Sequence, residues 1–242
     1  MTSIIVTGAS SGIGRATAEL FLAEGWTVGL LARRGDVLQQ MASDHANAIP
    51  LIADVTDAKA VQAAFESFQN TAGRLDVLFN NAGIFAPGGT IDEIELEDWY
   101  QSVNVNLNGM FLCAREAFRI MRYQSPQGGR IINNGSIAAH VPRSNSVHYS
   151  ATKHAITGLT RSLSLDGRGF GIACGQIDIG NARTQMVQGL VDAAVEAGQQ
   201  PDPTMAVEDA ARSVLHMATL PPEANVQFMT VMATTMPYIG RG

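Results

Sequence analysis

Short apolar runs alternate with longer amphipathic stretches along this chain, and no other feature limits the fold as much. Residues 3–7 (SIIVT), 26–31, 49–53, 75–80, 130–134, 171–177 and 226–231 read as strands. The spacing predicts helices over 13–23, from the second strand to about His45, and over 57–71, 96–122, 147–167 and 205–218. These strands lack an alternating polar face, so each is expected to be buried on both sides, as in a parallel sheet covered by helices. Right-handed crossovers then put helices on both faces, giving a doubly wound, Rossmann-like α/β fold of about seven strands.

The 242 residues are 46% hydrophobic and 16% charged, which supplies enough apolar surface for one large core. Pro201, Pro203, Pro221 and Pro222 mark short turns rather than a linker, so residues 1–242 are expected to form one domain. Its part up to about residue 135 is expected to serve a cofactor, and 136–242 catalysis and substrate. A net charge of −6 argues against nucleic acid as the main partner, because phosphate binding needs a basic surface. No stretch approaches the ~18 apolar residues of a membrane helix, and MTSIIVTGAS lacks the basic region of a signal peptide. Cys113 and Cys174 stand far apart without a C-x-x-C or His-rich neighbourhood, so they read as buried hydrophobes rather than a disulfide or a metal site. The expected setting is the cytoplasm, where the sequon at Asn134 goes unglycosylated.

Directly after the first strand comes TGASSGIG, with Gly8, Gly12 and Gly14 between a strand and a helix. Glycine permits the tight turn and the close approach of backbone to a bulky ligand. The helix start behind Ser10, Ser11 and Ile13 offers free N–H groups and a positive dipole end to a pyrophosphate. The second strand ends in LLARRGD, where NAD sites commonly carry an acidic side chain for the ribose 2′-OH. Here Ala32 holds that position and Arg33 and Arg34 follow. Guanidinium groups suit a 2′-phosphate, and cations at a helix start are otherwise mildly unfavourable. The expected cofactor is therefore NADP(H).

Further along, SVHYSATKHA sets Tyr149 and Lys153 one helical turn apart, with Ser136 thirteen residues before the tyrosine. A free phenol titrates near ~10 and is a weak acid, but a neighbouring ammonium favours the phenolate. A carbonyl that receives a hydride must take up a proton on its oxygen, and such a pair could supply it. A serine hydroxyl beside them could orient the oxygen.

These elements resemble the short-chain dehydrogenase/reductase family, over nearly the whole chain. TGASSGIG is similar to its cofactor loop, Asp54-Val55 to its adenine-contacting pair, and Asn80-Asn81-Ala82-Gly83 to its NNAG motif. Asn106 matches the asparagine of its central helix, and Ser136, Tyr149 and Lys153 match its Ser…Tyr-x-x-x-Lys pattern. The resemblance implies that Tyr149 is the acid/base and Ser136 the orienting donor. It also implies that Lys153 holds the nicotinamide ribose and that Asn106 helps place a water that resupplies the proton. Gly180 and Thr184 match the loop after the sixth strand, with Thr184 expected to reach the carboxamide or pyrophosphate, but Ile179 replaces the family's proline there. That exchange adds a backbone N–H and frees φ.

The expected reaction is carbonyl–alcohol interconversion on a small molecule. The other readings are a dinucleotide sensor without turnover and a nucleotide-sugar epimerase or dehydratase; the latter's larger substrate domain contrasts with the 58 residues after Thr184. Phe85, Ala138 and Val141 are expected to line the pocket, while His140 and His148 flank it with open roles. Residues 185–204 are expected to form a short cap. The resemblance implies a homodimer or homotetramer through the patterns at 96–122 and 147–167, with Arg241 a candidate subunit contact.

Overall fold

The run SIIVT forms strand β1 (Ser3–Thr7) and sends Ile4 and Val6 into one hydrophobic core and Ile5 into another. Successive strand residues point to opposite faces, so a strand apolar throughout must be covered twice. The same division recurs in β4 (Val77–Asn80), where Val77 and Phe79 face the first core and Leu78 the second. The computed structural model describes residues 2–196 and 198–239; Arg241 lies outside them.

With β2 (Thr27–Ala32), β3 (Ala48–Ile52), β5 (Gly129–Asn134), β6 (Ile172–Ile179) and β7 (Phe228–Val231), these strands make one seven-stranded sheet. Its order is β3-β2-β1-β4-β5-β6-β7, with each neighbouring pair parallel. On one face lie α1 (Gly12–Ala23), α2 (Gly35–Asp44) and α8 (Val207–Ala218), burying Phe21, Leu38 and Val214. The other face carries α3 (Ala58–Ala72) and α5 (Met110–Tyr123), burying Phe65, Phe68 and Ile120. Helix α6 (Val147–Gly167) packs on β6, and α4 (Leu96–Val103) packs on α6. The doubly wound Rossmann-like α/β fold is thus as expected. Among the described residues, no helix is long and apolar enough to cross a membrane.

Several boundaries shift by one or two residues, those of β4, β7 and α8 among them, and two further departures bear on the site. The central helix is not continuous over 96–122: a π-helical segment, Asn104–Gly109, separates α4 from α5. Gly109 there lies against Val55, whose side chain would stand 2.7 Å from an added Cβ. Strand β6 runs two residues past its expected end, because Ile179, unlike a proline, keeps the ladder going and pairs with Val231. The segment 185–204 contains a helix, α7 (Gln185–Glu196).

Both cysteines are buried, and burial pushes each thiol up to about 12. They behave as packing groups, as expected. Arg130, on β5, is a buried cation with no carboxylate partner among the described residues. Burial lowers its pKa, and its N–H groups donate to Asn225 Oδ1 and to the carbonyls of Leu220, Pro221 and Ala224. This arginine ties the α8–β7 connection to the sheet. Arg130→Ala is expected to lower unfolding stability by about 2 kcal/mol, because the charge-assisted bonds that hold this connection are removed. Denaturant unfolding would contradict this with a loss under about 0.5 kcal/mol, the size of an ordinary surface change.

Candidate active site

The strand order reverses direction between β1 and β4, and in a doubly wound sheet the crevice beyond the strand ends at that point is where ligands bind. The two loops that open there are tied together. Thr7 Oγ1 accepts bonds from Asn81 N (2.8 Å) and Ala82 N (2.9 Å), and Asn81 Nδ2 donates to the Thr7 carbonyl (2.9 Å). Asn134 Nδ2 donates to Asn81 Oδ1 (2.8 Å), and Lys153 Nζ donates to the Asn134 carbonyl (2.9 Å). A continuous polar line therefore runs from the glycine loop to the lysine.

The glycine loop has the form its sequence requires. Gly8 and Gly12 take φ values of +70° and +55°, in the left-handed region that favours glycine. A Cβ on Gly14 would stand 2.3 Å from the Gly8 carbonyl oxygen, so only glycine lets α1 close on the loop. Gly14 thus supports the cleft from behind, while Gly8, Ser10, Ser11, Gly12 and Ile13 line it. Across the loop, Arg34 donates to the Ser10 carbonyl (2.8 Å) and hydroxyl (3.0 Å). Arg33 lies 3.7 Å from Asp54, its side chain 70% exposed. Burial alone would raise the Asp54 pKa, but bonds from the Thr56 N–H and hydroxyl, with Arg33 beside it, hold it below the usual value. These residues, with Val55, Asn81, Ala82 and Gly83, form a cradle that fits a dinucleotide.

The other half of the same cleft, about 660 Å³ in all, is lined by Ser136, Tyr149, Lys153, Gly180 and Thr184. The Tyr149 ring packs against Phe85 at 5.0 Å between centroids, and Lys153 Nζ lies 5.5 Å from the tyrosine ring centre. Ser136 Oγ accepts a bond from Ala138 N (3.1 Å), and among the described residues its own proton has no protein acceptor. Asn106 is buried off the cleft. Its amide accepts from Ile84 N (2.8 Å) and donates to the Ile84 carbonyl (3.0 Å), so its side chain locks the loop after β4 to the π-helical segment. Thr184 sits over the glycine loop, its methyl 3.0 Å from where a Gly12 Cβ would stand.

The histidines turn out differently from one another. His148 is fully buried, with Nε2 3.1 Å from the Ala86 carbonyl, and faces neither the cleft nor solvent. His140 lies 2.8 Å from Asp178, a carboxylate with 0% exposure that also accepts from Ser136 N (2.9 Å) and Gln176 Nε2 (2.7 Å). Phe85 lines the cleft; Ala138 and Val141 are not among the lining residues. Sequence reasoning passed over Asp178, Arg143 and Asn181. The available signal was a lone carboxylate in an apolar strand, which burial makes costly without partners. For Arg143 it was a cation between Ser136 and Tyr149.

A profile of the family described as short chain dehydrogenase matches residues 2–194. The 3beta-hydroxysteroid dehydrogenase of Mediterraneibacter gnavus is 38% identical over 178 residues, 72% of this chain and 63% of that enzyme. Sulfoacetaldehyde reductase 2 of Chromohalobacter salexigens is 30% identical over 96% of this chain and 94% of its own. Among solved structures, the closed form of serine dehydrogenase complexed with NADP+ superposes with a TM-score of 0.91 at 26% identity, covering 100% of this chain and 98% of that one.

Proposed function

The chain belongs to the short chain dehydrogenase family, and we propose that it is an NADP(H)-dependent oxidoreductase that interconverts a carbonyl and an alcohol, with Tyr149 as acid and base. One observation carries this reading: Ser136, Tyr149 and Lys153 line the same cleft as the glycine loop. When bound, the nicotinamide supplies the hydride to the carbonyl carbon or accepts it from the alcohol. In the reducing direction the Ser136 hydroxyl donates a hydrogen bond to the carbonyl oxygen and fixes its position. The Tyr149 hydroxyl then gives that oxygen its proton, and the Lys153 ammonium favours the phenolate left behind. Asn106 acts as a positioning residue, through Ile84. The related enzymes are named for a steroid, sulfoacetaldehyde and serine, so the reaction class is shared while the substrate is not.

The preference for NADP(H) over NAD(H) rests on Ala32 at the end of β2 and on Arg33 beyond it. Arg34 is already bonded to Ser10, whereas Arg33 is exposed and loosely paired, free to meet a 2′-phosphate. Arg33→Ala is expected to weaken NADPH binding by about 10-fold or more, the worth of a charge-assisted phosphate contact, with a much smaller effect on NADH. Equal losses in fluorescence titrations with the two cofactors would reject the assignment. The whole reading is tested by a panel of aldehydes and ketones under NADPH; none consumed above background would defeat it.

We read residues 1–242 as one domain, since strands from residue 3 to residue 231 share one sheet, and as cytoplasmic, in keeping with two free cysteines. Phe111 on α5 and Leu165 on α6 are large and exposed, which supports pairing of these helices in a homodimer or homotetramer.

A further inference from the structure

Among the described residues, one cation of the cleft serves neither the proposed reaction nor the glycine loop. Arg143 stands on the connection between β5 and α6, the segment that also bears Ser136, and it lines the same cleft as Tyr149. Its Nη2 donates to Asn181 Oδ1 at 2.6 Å, across to the loop after β6. That bond orients the guanidinium plane, yet it uses one of five N–H donors and neutralises no charge. Among the described residues no carboxylate lies within ion-pair distance of Arg143. The acidic residue that lines the cleft, Asp54, sits at the glycine-loop end beside Arg33. In a chain with 22 acidic and 16 basic residues, a half-buried arginine with no acidic partner is an open position for an anion. Lys153 is engaged elsewhere: one donor bonds the Asn134 carbonyl, and its ammonium serves Tyr149 in the proposed reaction.

From this geometry we propose that Arg143 binds an anionic group of the substrate, a carboxylate or sulfonate carried by a small carbonyl or hydroxy compound. The inference rests on the oxidoreductase reading above. Planar guanidinium and two-oxygen anions match as parallel hydrogen bonds, and partial burial strengthens the pair over its value in water. Holding the anion at Arg143 presents the remainder of a short substrate to Ser136 and Tyr149, which fixes the carbonyl by two points rather than one.

Two arms separate this inference from the reading beneath it. In the first, succinate is added to the NADPH-loaded protein and the shift in melting temperature is compared with that from neutral succinamide. Succinate is expected to raise the midpoint, succinamide not to, and Arg143→Met to abolish the rise while NADPH affinity is kept. Arg143→Lys, which keeps the charge but not the planar fork, should retain part of it. An equal rise in Arg143→Met, no rise in the natural protein, or a loss of NADPH affinity in its place would overturn the inference. In the second arm, succinic semialdehyde and pentanal are compared as substrates. The ratio of their kcat/KM values is expected to favour the charged aldehyde and to fall by about 10-fold or more in Arg143→Met, as for one charge-assisted contact. An unchanged ratio contradicts the inference. Succinate binding without turnover of either aldehyde keeps the anion site and counts against the carbonyl reductase.

Discussion

Tyr149→Phe is expected to lower kcat by about 10³-fold while leaving NADPH affinity within about twofold, because proton transfer by a positioned group contributes on the order of 10²–10⁴. The variant removes one oxygen and little else. The ring keeps its place against Phe85, 5.0 Å away between centroids, and Lys153 keeps its bond to the Asn134 carbonyl. Steady-state rates and a cofactor titration on the same preparation decide the matter. Retention of more than about a tenth of the rate would mean that the proton comes from elsewhere, since loss of a general acid should exceed that. A parallel loss of NADPH binding would mean that the ring, not its hydroxyl, is what the site needs.

Asp178→Ala has the second largest expected effect, and it acts on stability as well as rate. The carboxylate has 0% exposure and three partners: Ser136 N–H, the Gln176 amide and His140. Removing it leaves the buried Ser136 N–H unpaired and takes one acceptor from the Gln176 amide, which keeps Thr157 Oγ1, at a cost of about 2 kcal/mol. Ser136 is held on one side by this contact, so its hydroxyl should drift, and a displacement of about 1 Å costs up to ~10²-fold in rate. If Asp178 acts through Ser136, adding Asp178→Ala to Ser136→Ala should lower kcat no further. A rate unchanged in Asp178→Ala would show that the carboxylate serves folding alone, and additive losses would show that it acts on the rate independently of Ser136.

Much of this was readable in the sequence because its causes are local. A strand covered on both faces must be apolar throughout, so SIIVT and its counterparts announce a parallel sheet. The glycine loop is likewise forced by backbone needs at Gly8, Gly12 and Gly14. Contacts between distant segments left no comparable trace. Asp178 meets His140 across 38 positions, and Arg143 meets Asn181 across 38; neither pair follows a helical or strand period. The π-helical segment Asn104–Gly109 lies between two helical patterns and reads as part of one helix, although NVNLNG is poor in helix formers. His148 shows the same limit. Its neighbour Tyr149 lines the cleft, while its own ring turns inward to the Ala86 carbonyl, a contact 62 positions away.

The central claim is that the cleft brings a nicotinamide and a carbonyl together for direct hydride transfer. The most direct measurement follows the hydrogen itself, using NADPH deuterated at the carbon that gives up the hydride and the best carbonyl substrate from the panel. The account predicts one deuterium on the carbinol carbon of the product alcohol, transferred from a single face of the nicotinamide. Product alcohol without that label, or no alcohol formed from any carbonyl while NADPH stays bound, would contradict it.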